Sequence, residues 1–305
     1  MIFKCNSHLN TYKTIVLLSV LSVFSLVSFS KNEIKKTNED IIDTNAKLIP
    51  NNPWDFLTEY SAIYQVYYDD DLVGTANETL TFDNDLWKLE MSARLKKFFF
   101  KIRSNEFSEF AFNNQVLYTQ RFYSKTEITF KKDKVIEQIF DWKNKVETGL
   151  YKKRSWQIPL EQQVFDRMSH TIQLRQNLFN SKNSSPTKES SPTNESSLTK
   201  ESNSTNESET IPLEFLVSHK GKRESYIYKS LGIEKLNTPF GDYDAVKLER
   251  TKKNGDKFLI WLSPKLNYFP IKISQKEEDK SEVSFLLKSL TYSKTNEAVE
   301  IPTKI

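Results

Sequence analysis

Residues 232–273, GIEKLNTPFGDYDAVKLERTKKNGDKFLIWLSPKLNYFPIKI, constrain the fold more than any other stretch of this chain. They predict three β-strands joined by two tight turns. Pro239 to Gly241 supplies one turn, with a glycine where φ can be positive, and Asn254-Gly255 supplies a hairpin of the primed kind. Ser263-Pro264 ends a strand. Pro270 lacks a backbone donor, so it belongs at a strand start or on an edge. Backbone geometry accounts for each of these residues, and none of them forms a chemical site.

The same alternation runs through the rest of the chain. Ala62, Tyr64, Val66 and Tyr68 share one face, and Asp69-Asp70-Asp71 makes a polar turn. Strands follow at 73–82 and 87–93, the second with Trp87, Leu89, Met91 and Ala93 on one face. Asp83-Asn84-Asp85 joins them, and loops this short connect antiparallel neighbours. Further strands are predicted at 97–102, 115–123, 127–130 and 135–140. The pattern resumes from Ile211 through a turn at Lys220-Gly221-Lys222, and ends with 282–292. Phe98-Phe99-Phe100 makes both faces apolar, which predicts a strand buried on both sides; the alternative is an exposed patch that meets a partner. Roughly a dozen strands define a mainly β class. The expected architecture is a curved antiparallel sheet or partly closed β-barrel, because so many strands do not stay flat and open.

One amphipathic helix is predicted at about residues 160–179. Phe165, Met168, Ile172 and Phe179 recur at helical spacing, with Val164 and Leu178 beside them. Glu161, Gln162, Asp166 and Arg175 fall largely on the opposite side, expected to face solvent. Such a helix should pack its stripe on a sheet face or close one end of a barrel.

Residues 1–30 have the layout of a signal peptide: Lys4 and Lys13, an uncharged run from Ile15 to Phe29, and small residues at Ser28 and Ser30. The run is too short to span a bilayer. The chain is therefore expected to be exported, most simply to the periplasm of a Gram-negative bacterium, touching membrane only through the signal peptide before cleavage. Cleavage removes Cys5, the one cysteine, and leaves no thiol for a disulfide or metal site. Residues 31–52 are predicted to form a flexible leader and 53–295 a single β-rich domain, with a tail at 296–305. The domain is interrupted at 181–210 by a disordered insertion. Its centre is four copies of a six-residue unit, SPTKES, SPTNES, SLTKES and NSTNES. Leu198 is its one large apolar residue, so it cannot offset the entropy of ordering.

After cleavage 42 basic residues stand against 40 acidic ones. With no block of like charge on a predicted element, nucleic acid is excluded as a partner. Two histidines remain, His170 and His219. Asp166 and His170 lie four apart on the predicted helix, with Ser169 as a nucleophile candidate. Positions 169 and 170 diverge by about 100° on a helix and do not converge on one substrate. There is no G-x-S-x-G elbow, phosphate loop or nucleotide fingerprint. The chain is accordingly read as non-catalytic and without a cofactor. Asp69, Asp70 and Asp71 could gather calcium with Asp83 and Asp85 only if the two turns met at one sheet end; solvated turns are the simpler account.

The tryptophans, Trp54, Trp87, Trp142, Trp156 and Trp261, are first of all core material in a β protein. A concave sheet with surplus aromatics could also line an apolar groove, and Trp87, Met91 and Trp261 are its candidate residues.

Tyr64-x-Val66 with a hairpin leading to Gly74, the segment FDRMSHTIQLR at 165–175, and the 232–273 stretch together resemble the domain of unknown function 3108, a family of exported bacterial proteins. The most specific parts are Leu236-x-Thr238-Pro239-x-Gly241 and Trp261-Leu262-Ser263-Pro264 through Pro270. The resemblance covers about residues 55–292, with the repeat set aside. It implies a periplasmic, mostly β domain and brings no established activity or catalytic residues. The expected role is non-catalytic binding or carriage of an apolar envelope molecule, a lipid or a lipoprotein acyl chain, in a β-sheet groove. The alternatives are an assembly factor or scaffold acting through contacts with envelope proteins, and a glycan or lipid hydrolase, which the lack of a convergent polar cluster disfavours.

Overall fold

The structure, a computed structural model, describes residues 57–113, 116–183, 213–251, 255–276 and 281–293. The expected signal peptide (1–30), leader (31–52) and tail (296–305), the repeat and Trp54 lie outside the described residues. Of the insertion expected at 181–210, residues 181–183 are described and are helical, which corrects its start.

Fourteen strands form one antiparallel sheet. They are β1 (Tyr60–Tyr68), β2 (Asp71–Asp83), β3 (Leu86–Lys97), β4 (Phe100–Asn113), β5 (Val116–Ile128), β6 (Lys134–Asp141), β7 (Val146–Tyr151) and β8 (Arg154–Pro159), then β9 (Leu213–His219), β10 (Lys222–Thr238), β11 (Gly241–Thr251), β12 (Lys257–Ser263), β13 (Phe269–Lys276) and β14 (Glu282–Tyr292). The order across the sheet is β8 to β1, then β14 back to β9. Two meanders thus meet at the β1–β14 pair, and β8 and β9 are left as the two edges.

The sheet curls until those edges face each other, but they do not pair, so the barrel is not closed by a ladder. Side chains and a short extended segment seal the gap. Phe165 donates its N–H to Leu216 (2.9 Å) and accepts from Ser218 N–H (2.8 Å), which caps the β9 edge. Beside it, Glu147 on β7 accepts from Ser218 Oγ (2.7 Å), Trp156 Nε1 (3.0 Å) and Gln138 Nε2 (3.1 Å), and pairs with Arg223 on β10. One buried carboxylate therefore ties both edges together.

The single helix among the described residues, α1 (Ser169–Asn183), sits inside the curl. It starts nine residues later than the spacing of Val164, Phe165 and Met168 predicts. The cause is local: Asp166 Oδ1 accepts from Met168 N–H (2.6 Å) and Ser169 N–H (3.0 Å), and Ser169 Oγ accepts from Asp166 N–H (3.1 Å). This reciprocal cap starts the helix at Ser169. Phe165 meanwhile is spent on the β9 edge. Asp166 and Arg175, expected on the solvent side, are buried because sheet surrounds the helix.

Within the curl the wall is divided. On β1, β2, β3 and β12–β14 the inward residues are mostly apolar, as at Ala62, Tyr64, Leu80, Leu89, Ile260 and Leu287. On β4–β7 many are polar: Ser104, Glu106, Ser108, Ser124, Thr126 and Gln138 are all buried. Residues 116–128 are one continuous strand in place of the two predicted at 115–123 and 127–130; the alternation there carries polar residues on both faces, which reads as a break in the sequence.

The expectation that Phe98 and Phe99 are buried is overturned. They form the β3–β4 turn and are 80% and 66% exposed, with Phe98 at φ 54°. Phe130, 87% exposed, lies in the adjacent β5–β6 turn, so the three rings project from one end of the sheet. Of the three apolar residues in a row, Phe98 and Phe99 serve a turn and Phe100 opens β4.

The turn motifs that lie wholly within the described residues behave as their backbone chemistry requires; the hairpin turn expected at Asn254-Gly255 is not among them, since Asn254 lies outside the described residues. Gly74 sits beside a bulge between β1 and β2, where a Cβ would fall on the Arg94 carbonyl oxygen. Thr238 Oγ1 donates to Gly241 O (2.9 Å) and accepts from Phe240 N–H (3.2 Å), closing the turn at Pro239; Gly241 has φ 139°. Ser263 ends β12, Pro264 opens a short 3-10 turn, and Pro270 is the second residue of β13. Asp69–Asp71 and Asp83–Asp85 lie at opposite ends of β2, about 40 Å apart at strand rise. That separation removes the shared calcium site. No cluster of metal ligands occurs among the described residues.

Candidate functional site

A cavity of about 340 Å³ lies between α1 and the apolar half of the sheet. Leu89 and Met91 on β3, Ile260 on β12, Ile273 on β13 and Val283 and Phe285 on β14 form its greasy wall, and Met168 and Ile172 close the helix side. These residues point inward because each occupies the inward phase of its strand. His219, Lys220 and Glu224 line both the cavity and a depression on the surface outside it, and so mark its mouth. The mouth is at the β9–β10 turn, at the sheet end that also carries Phe98, Phe99 and Phe130.

Several ionisable groups reach into the apolar space. Tyr60 donates to Glu78 Oε1 (2.7 Å), and burial pushes the Glu78 carboxyl up. Glu106 pairs with Arg167; burial lifts it to about 7, against the opposing pull of that guanidinium. Burial also lowers Lys220, to about 8. His170 Nε2 lies 2.9 Å from the Tyr228 hydroxyl. Burial, and then the charge of Arg250, hold this imidazole down at about 3, so it is neutral at physiological pH.

On the sheet wall, Arg250 and Gln275 carry buried polar atoms without a hydrogen-bond partner. Arg250 on β11 lies opposite Phe258 on β12, which lies opposite Gln275 on β13, so the three share one cross-strand row. Arg250 stacks over Tyr226 (3.5 Å to the ring centre), and its Nε and Nη1 find no acceptor. Both amide atoms of Gln275 are likewise buried without a partner.

The arrangement does not assemble nucleophile chemistry. Ser169 Oγ is spent on the helix cap and on Thr119 Oγ1 (2.8 Å), and Asp166 accepts Ser108 Oγ (2.5 Å) in place of a bond to His170. A neutral histidine held at about 3 makes a weak base at physiological pH.

Of the three groove candidates, Met91 lines the cavity, while Trp87 and Trp261 do not. Trp87 packs on Phe82 at the far end of β3 (5.0 Å between rings). Trp261 points to the opposite face of β12, where Lys247 and Lys272 cover its ring and Nε1 donates to Glu234 (3.2 Å). Sequence reasoning missed Arg250 and Gln275. The available signal was phase: Arg250 follows Leu248, and Gln275 follows Ile273, at the strand period of two.

The chain belongs to the family of proteins of unknown function DUF3108, whose model matches residues 63–287. No curated protein matches it. Among solved structures it is similar to a beta-barrel-like protein of the domain of unknown function DUF1849 from Brucella abortus. The two are 9% identical with a TM-score of 0.49, over 78% of this chain and 99% of that one.

Proposed function

We propose that this DUF3108 protein is a non-catalytic periplasmic protein that binds an apolar envelope molecule, a lipid or lipoprotein acyl chain, in the cavity between α1 and the sheet. The observation that carries this reading is the cavity itself, walled by Met91, Ile260, Ile273, Val283 and Phe285 and open at one end. Its volume of about 340 Å³ is at the low end for small-molecule sites, which suits one acyl chain better than a multi-chain lipid. Each methylene moved from water into such a wall contributes about 0.8 kcal/mol.

Titration with a fluorescent acyl probe tests this directly. Saturable, blue-shifted emission is expected from the native protein, and its loss from Met91→Trp and Ile260→Trp, which fill the cavity. Equal emission from native and filled proteins would contradict the proposal.

A second reading, a scaffold acting through protein contacts, draws on one specific observation: Phe98, Phe99 and Phe130 stand exposed together at the mouth end. A photo-crosslinker at position 130 should then capture one defined envelope protein, and Phe98→Ser should abolish the product. Diffuse or absent crosslinking counts against it.

A further inference from the structure

A buried guanidinium with no anion beside it is costly. Taking a charge out of water is offset only when a partner and hydrogen bonds replace the water. Arg250 is 8% exposed and forms no ion pair among the described residues. The Tyr226 ring attracts its charge, but a ring face cannot accept the in-plane N–H groups. Of the acids that line the cavity, Glu78 is engaged by Tyr60 and Glu106 by Arg167, while Glu224 lies exposed at the mouth and forms no ion pair with Arg250. His170, beside Arg250, brings no compensating charge. Gln275, 4% exposed, adds a buried amide with both atoms unmet, one cross-strand step beyond Phe258. Buried polar groups are nearly always paired, so two in one row, facing one cavity, point to a partner that comes and goes.

We infer that the cavity takes a single-chain amphiphile with an oxyanion head, a carboxylate or a phosphate monoester. The oxyanion accepts from Arg250 and from the Gln275 amide while the chain lies along Met91, Ile260 and Ile273. The polarity of the site follows from position. Arg250 is the penultimate residue of β11, at the same sheet end as Lys220 and the mouth, whereas the apolar wall runs deeper. The head therefore sits near the entrance and the tail points inward. Lys220 at the mouth, still largely charged at neutral pH, favours entry of an anion.

This inference rests on the apolar-ligand reading above, and one calorimetric series separates the two. The folded mature chain is titrated, below micelle-forming concentrations, with dodecanoate, dodecyl phosphate and dodecanol. The anions should bind at least about tenfold more tightly than the alcohol, the effect of one charge-assisted hydrogen bond. Arg250→Met should erase that preference, with the anions binding this variant no more tightly than dodecanol does; Gln275→Leu should reduce it. Thermal melts report folding of each variant. Arg250→Met removes an unpaired buried charge, so it should melt no lower than the native chain. Equal affinity for alcohol and anions overturns the head-group inference while the cavity reading survives. A preference that persists in Arg250→Met overturns the role of Arg250. Failure of all three probes sinks the cavity reading itself. A preference for one anion over the other identifies the head.

Discussion

His170 Nε2 and the Tyr228 hydroxyl lie 2.9 Å apart, and through that contact the enclosed helix α1 is tied to β10. The bond forms in a site that suppresses protonation, since burial and Arg250 hold the imidazole at about 3, well below the ordinary histidine range. As pH falls through that window the unfolded chain takes up a proton that the folded chain refuses. The contribution of His170 to stability is thus complete above about pH 6.5 and is lost as pH drops toward 3. Relative to His170→Gln, the native protein should lose stability on acidification with a slope approaching about 1.4 kcal/mol per pH unit. Denaturant melts of both proteins between pH 7 and 4 check this; parallel curves would refute it.

Glu147 gathers Ser218, Trp156, Gln138 and Arg223 where the two edges of the sheet meet. Glu147→Ala leaves a guanidinium and several donors without their acceptor. A loss of about 3–5 kcal/mol is expected. Amide exchange should accelerate first in β8 and β9, the edges that this carboxylate holds. Uniform acceleration across all strands would show that the seam is not a local device.

Phe98 and Phe130 are aromatic residues that stability should barely notice. Phe98→Ser and Phe130→Ser are expected to change unfolding free energy by less than about 0.5 kcal/mol, as exposed sites do. Phe110→Ala, at a fully buried position, should cost about 3–5 kcal/mol. Comparable losses at all three positions would mean that the turn residues are packed in solution.

These contrasts explain what could be seen in the chain beforehand. β1 was legible because Ala62, Tyr64, Val66 and Tyr68 are apolar and their neighbours are less so. Turns at Lys220-Gly221 and Ser263-Pro264 were legible through residues with narrow backbone preferences. The middle strands were not. When an interior wall is built from Ser104, Glu106, Ser108 and Ser124, binary alternation fails, because burial there is satisfied by hydrogen bonds. The helix start was obscured by competition between Phe165 at helical spacing and the Asp166 cap, and the cap prevailed. Arg250 and Gln275 were hidden for a related reason: a charged or amide residue in a strand is ordinarily a solvent-facing one. Only enclosure by α1 and the curl of the sheet makes them part of a cavity wall.

Chain length offers a measure of the cavity that does not depend on the head group. With a fixed head, each pair of added methylenes should tighten binding by about tenfold while the wall still has room, following about 0.8 kcal/mol per methylene. Affinity should then level off or fall once the cavity of about 340 Å³ is full. Affinity that rises without limit, in proportion to solubility loss, would indicate adsorption to the exposed aromatic end.

Native mass spectrometry of the protein purified from its native host, without refolding or added detergent, tests the central claim most directly. One acyl-bearing molecule per chain is predicted on the native protein and none on Ile260→Trp. A native protein that is uniformly empty, or an adduct retained at equal occupancy by the filled variant, would contradict it.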